Sequence, residues 1–80
     1  MPLKLVFIGR LEDIAGEAER QVEAVASLDR LLAGLEPDLA AALRGERIRL
    51  AINGAVVRDR DAALLRDGDE IAFLPPVSGG

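Results

Sequence analysis

Asp67-Gly68-Asp69-Glu70-Ile71-Ala72-Phe73-Leu74-Pro75-Pro76-Val77-Ser78-Gly79-Gly80 ends the sequence and decides how the rest is read. Asp67-Gly68-Asp69 has turn chemistry, because glycine accepts a positive φ and aspartate bonds to nearby amides. Glu70 to Leu74 alternates as a half-buried strand does. Ile71 and Phe73 lie on one face, and Glu70, Ala72 and Leu74 on the other. Pro75-Pro76 restricts two consecutive φ angles and favours extended backbone, which ends the strand. Val77-Ser78-Gly79-Gly80 then projects as a short arm. The expected division is a globular domain over residues 1–74 and an extended tail over residues 75–80.

A second apolar strand is expected from Leu3 to Ile8, with Leu3, Leu5 and Phe7 opposed to Lys4, Val6 and Ile8. Residues 10–17 mix charge with Leu11, Ile14 and Gly16 and read as a loop. Glu19 to Val25 alternates weakly and reads as an edge strand guarded by charge. Ser27 suits a helix N-cap. After it, Leu28, Leu31, Leu32 and Leu35 recur at helical spacing. Pro37 breaks that helix and suits the first turn of another. Leu39, Ala40 and Leu43 continue the stripe up to Gly45. One broken helical segment is therefore expected over about 28–44. Arg47 to Asn53 alternates, Asn53-Gly54 signals a tight hairpin, and Ala55 to Arg58 is the returning strand. Asp61 to Leu65 fits one helical turn.

This order, with one helical segment packed on one face of a mixed sheet of about five strands, is an α+β architecture. Pairing of the first and last strands in the centre would make it a ubiquitin-like β-grasp. The helix would then cover Leu3, Leu5, Phe7, Ile71 and Phe73. Val6, Ile8, Ala72 and Leu74, with Val56 or Val57, would remain on the open face. A contiguous apolar patch there reads as a partner surface. The alternative is a scatter of surface aliphatics, which is common.

Composition removes most other functions. The chain has 80 residues, half of them hydrophobic, enough for one domain. It has no Cys and no His, so thiolates, disulfides, sulfur or imidazole metal ligands and the commonest general base are missing. Ser27 and Ser78 have no imidazole to activate them. The acidic run Asp59, Asp61, Asp67, Asp69 and Glu70 lacks the spacing of a calcium loop and reads as turn chemistry. No metal site is expected. A net charge of −4 with two aromatic residues is unsuited to nucleic acid. No apolar run is long enough for a membrane span, and the first residues lack a secretory pattern. Cytoplasmic location is the expectation.

A self-contained enzyme would have to work with Asp, Glu and Arg alone, and the group that stands out instead is the terminal carboxylate. Gly79-Gly80 fits a channel too narrow for larger residues, and the final carbonyl is unhindered. A carboxylate must be activated before a nucleophile attacks it. The chain offers no phosphate-binding glycine loop for that step. A separate enzyme must supply it, with the folded body as recognition handle.

Gly68 through Gly80 closely resembles the C-terminus of the small, sulfur-carrier subunit of molybdopterin synthase, a ubiquitin-like β-grasp family. The length, the opening strand with Phe7 and the place of Asn53-Gly54 are also similar. The chain departs from the family at Glu12-Asp13, where relatives often carry an Arg-Glu pair. The resemblance implies that a ubiquitin-activating-type adenylyltransferase uses ATP to adenylate Gly80. A sulfur donor protein then converts it to a thiocarboxylate. The large subunit of molybdopterin synthase accepts the tail, and the sulfur passes to cyclic pyranopterin monophosphate. Gly80 is the reacting residue, with Ser78 and Gly79 in the partner's channel. Ile8, Val56, Leu74, Pro75, Pro76 and Val77 form the partner surface. The chain itself holds no cofactor, catalytic side chains belong to the partner, and a heterotetramer is expected.

Three other readings stay open. One is a sibling carrier serving thiamine-thiazole or tRNA thiolation. Another is a ubiquitin-like modifier joined to lysines through Gly80. The last is an interaction module with an inert tail.

Overall fold

The computed structural model describes residues 1–76. Its first strand, β1 (Leu3–Phe7), and its last, β5 (Glu70–Leu74), lie side by side in parallel. Leu5 stands opposite Ile71, and Phe7 opposite Phe73. Strand β2 (Glu19–Val22) adds antiparallel to the outer side of β1. Strand β3 (Arg49–Ile52) pairs antiparallel with β5, and β4 (Ala55–Val57) closes the far edge. The sheet order is β2-β1-β5-β3-β4. Everything between β1 and β5 is thus one long connection that must pack on the sheet.

The alternation decides which face it packs on. Leu3, Leu5, Phe7, Leu50, Ile71 and Phe73 are all at most 2% exposed. Helices α1 (Arg10–Ala15), α2 (Leu28–Ala33) and α3 (Pro37–Leu43) cover them with Leu11, Leu28, Leu31, Leu32, Leu39 and Leu43. The Phe7 and Phe73 rings stack at 5.8 Å, nearly parallel. This is the α+β, β-grasp arrangement expected from the sequence. Among the described residues no helix is long and apolar enough to cross a membrane.

Several local expectations need correction. Residues 10–17 are not a loop, since Arg10–Ala15 is helical. Six residues do not make a stable helix alone. This one is held by burial of Leu11 and by Gly16, whose φ of 82° lets its N–H reach the Glu12 carbonyl. The second strand stops at Val22, not Val25. The 28–44 segment is two helices separated by Gly34-Leu35-Glu36. Ser27 caps the first by accepting from the Arg30 amide at 3.2 Å, and Pro37 opens the second. The third strand begins at Arg49 and the fourth ends at Val57. The helical turn near 61–65 is a 3-10 turn, Arg60–Ala62.

Three polar groups tie the connection down. Arg20 lies over the Phe7 ring at 5.7 Å, and its guanidinium donates to Glu17 at 2.6 Å, Glu36 at 2.8 Å and the Ala15 carbonyl at 3.0 Å. Arg60 donates to the carbonyls of Leu43, Arg44 and Ile48, closing the C-terminal end of α3. Asn53 has φ 51° and Gly54 φ 87°, the two positive values of a type I′ hairpin. The Asn53 side chain donates to Asp69 at 2.9 Å and accepts from the Glu70 amide at 2.9 Å. Asp69 also accepts from the Arg66 amide. The Asn53 bond, then that amide, holds the Asp69 carboxyl below its ordinary range.

Asn53 therefore carries both a left-handed backbone and the junction to β5. Asn53→Gly keeps the backbone and loses the two side-chain bonds, a cost of about 1–2 kcal/mol. Asn53→Ala adds left-handed strain, for a total of about 2–4 kcal/mol. Urea unfolding of both variants checks the order, and equal losses would remove the strain argument.

Glu36 supplies a pH dependence. Its bond from Arg20 holds its carboxyl below the ordinary range. A depressed native value gives stability that is present above the unfolded value and is lost as pH falls through the native one. Glu36→Gln should therefore lose less stability than the parent on going from roughly pH 6 to roughly pH 3. Parallel urea curves at the two pH values test this, and identical losses would refute it.

Candidate functional site

The tail root is set by the middle of the sheet. β5 has neighbours on both sides and runs straight into Pro75 and Pro76, both half-buried. Gly9, just past β1, has φ 62° and ψ −133°, a conformation open essentially to glycine. A Cβ on Gly9 would sit 3.3 Å from Pro75 Cγ. The start of the tail thus rests on bare backbone two residues after β1. Sequence reasoning missed this contact. The signal was a glycine directly after an apolar strand.

The uncovered face is organised by register. One row runs Glu19, Val6, Ala72, Ala51, Val56 across all five strands. Alanines in its centre make the face shallow between the two valines. The next row, nearer the tail, sets Leu74 opposite Arg49. Continuing the β1–β5 register by one step brings Ile8 beside Leu74. Ile8 is 41% and Val56 58% exposed. On the side away from the tail, Lys4 pairs with Glu19 at 3.5 Å and Glu70 at 3.7 Å, bounding the apolar band with charge.

Ile8, Val56, Leu74, Pro75 and Pro76 therefore share one side of the molecule with the tail root. Val56 lies two strands from β5, about 10 Å away by strand spacing. The choice between Val56 and Val57 is decided: Val57 stands opposite Leu50 and packs on the core. Val77, Ser78, Gly79 and Gly80, expected in or near the partner channel, lie outside the described residues. Arg49 sits among the apolar residues, although its alternation with Leu50 already put it on this face.

The acidic run is used locally. Asp59 accepts from the Asp61 amide, Asp67 meets the N-terminal amine at 3.4 Å, and Asp69 organises the turn before β5. Such carboxylates are turn groups. What the arrangement offers is Pro75-Pro76 leaving a central strand beside an exposed apolar band.

Comparison with known proteins fits this geometry. The ThiS family model matches residues 5–80. A "Molybdopterin synthase sulfur carrier subunit" from Chlamydomonas reinhardtii is 33% identical over 85 residues, covering all of both chains. The solution structure of small archaeal modifier protein 1 from Methanosarcina acetivorans superposes with a TM-score of 0.73 at 31% identity, covering 99% of this chain and 96% of that one. A complex of subunits 1 and 2 of molybdopterin-converting factor from Helicobacter pylori contains a chain matching at TM-score 0.67 and 27% identity, with full coverage of both. These neighbours are ubiquitin-like β-grasp proteins, and this chain has their fold. With the family model matched from residue 5 through residue 80, the chain belongs to the ThiS family.

Proposed function

We propose that this chain is the sulfur carrier of molybdenum cofactor synthesis, the small subunit of a cytoplasmic molybdopterin synthase. The observation that carries the terminal chemistry is the reach of the ThiS family match, which runs through Gly79-Gly80. The full-length likeness to a molybdopterin synthase sulfur carrier subunit supports this reading. So does a sequence without Cys or His, which leaves the terminal carboxylate as the reacting group.

The chemistry follows from that carboxylate. A ubiquitin-activating-type enzyme joins the Gly80 carboxylate to the α-phosphorus of ATP and releases pyrophosphate. Sulfide released by a donor protein attacks the acyl carbon, AMP leaves with the adenylate oxygen, and a thiocarboxylate remains. The carrier then docks on the large subunit with Ile8, Val56, Leu74 and Pro75 against it. Pro76 and Val77 lead into the channel, and Ser78 and Gly79 fill it. The terminal sulfur passes to cyclic pyranopterin monophosphate, whose reacting site the partner builds. The helical cover lies on the opposite face of the sheet, so docking leaves the core undisturbed. Residues 1–74 act as the handle and 75–80 as the arm. The Helicobacter pylori complex of two subunits supports a large-subunit partner, and the family supports a heterotetramer.

A second reading has its own observation, the likeness to a small archaeal modifier protein. There a lysine amine, not sulfur, would take the activated Gly80 acyl group. Intact mass separates the two. A carrier from sulfur-replete cells shows one oxygen replaced by sulfur at its C-terminus, whereas a modifier is found linked to other proteins.

Deleting Gly80 should leave the unfolding midpoint unchanged and abolish restoration of molybdenum cofactor in cells lacking their own carrier. Restoration by the truncated chain would end the carrier reading. Val56→Asp should leave the fold intact and weaken binding to the large subunit about tenfold or more. Unchanged affinity by calorimetry would take Val56 out of the interface.

A further inference from the structure

Beside the tail root lies an open groove of about 570 Å³, lined by Glu46, Arg47, Arg49, Arg58, Arg60 and Pro76 among others. Four guanidinium groups meet one carboxylate there, in a chain whose net charge is −4. Arg60 is engaged by the carbonyls of Leu43, Arg44 and Ile48. Arg47, Arg49 and Arg58 are exposed. Among the described residues none of the three belongs to an ion pair. Arg49 stands opposite Leu74, and extending the β3–β4 register by one residue sets Arg58 beside Arg49. Like charges facing each other across a strand pair destabilise it. A single acidic residue at either position would relieve the repulsion, and the fold does without one.

We propose that Arg47, Arg49 and Arg58 form a clamp for carboxylates on the rim of the partner channel that receives the tail. This deepens the carrier reading and rests on it. Distance excludes the reacting centre as the target. Gly80 is four residue steps beyond Pro76, up to roughly 13–14 Å of chain at full stretch, which exceeds the reach of an arginine side chain beside Pro76. The clamp meets the partner's surface at the channel mouth, where Pro76 enters. Guanidinium suits the task because its fixed fork of donors matches a carboxylate and stays charged. Arg49 on the groove wall stands opposite Leu74, so the groove adjoins the apolar band and gives the docking face an apolar centre with a charged rim. Rim charges act mainly on association rate, and salt screens them.

The test uses the whole chain and the large subunit of molybdopterin synthase, with association followed by stopped flow at low and high salt. Arg58→Glu should slow association about tenfold at low salt, and the gap should close at high salt. Its unfolding midpoint should stay level or rise, because the introduced carboxylate would sit beside Arg49. A loss of binding caused by misfolding would lower that midpoint. Arg47→Glu should slow association in the same direction. If the parent binds and both variants associate at the parent's rate at low salt, the clamp is overturned while the carrier reading stands. If the parent does not bind the large subunit at all, both fall.

Discussion

The parallel contact between β1 and β5 is the constraint on which the rest depends. Strands from the two ends of the sequence meet in the centre of the sheet, Leu5 against Ile71 and Phe7 against Phe73. A parallel pair cannot be joined by a short turn. The sixty-odd residues between them must leave the sheet, cover one face and return. That face receives every large buried side chain of the sheet, and the other is left to the solvent or a partner. The same pairing makes the strand before Pro75-Pro76 a central one, held on both flanks.

Polar groups complete what burial begins. The helices are six or seven residues long and have little stability of their own. Arg20 joins the end of α1, the turn before β2 and the start of α3 over one aromatic ring. Arg60 does similar work at the other end of α3. Both arginines satisfy carbonyls at helix ends, which are costly to leave without a partner. They hold short pieces in register without a long helix, and Arg47, Arg49 and Arg58 stay on the surface near the tail root.

Much of this was legible in the sequence because it is local. The alternation in Leu3–Phe7 and Glu70–Leu74, the Ser27 cap, the Pro37 break and the Asn53-Gly54 hairpin each rest on a few adjacent residues. Helix α1 was not legible, since Leu11, Ile14 and Ala15 have helical spacing but six residues are too few to repeat it, and they fold because the core accepts Leu11. The Gly9–Pro75 contact joins residues distant in sequence. The nearness of Arg58 to Arg49, and the choice of Val56 over Val57, depend on strand register, which alternation alone leaves open. Of the candidate site, the apolar members were readable one strand at a time. Their arrangement around the tail root was not.

The central position of β5 also bears on mechanics. A pull on the C-terminus transmits tension along the strand that carries it. β5 is bonded on both flanks, to β1 and to β3, and the pull runs parallel to those ladders. The bonds are then loaded together in shear, whereas a terminal strand at the edge of a sheet can be peeled away bond by bond. A chain with this strand order is thereby built to be tugged by its C-terminal end without unravelling.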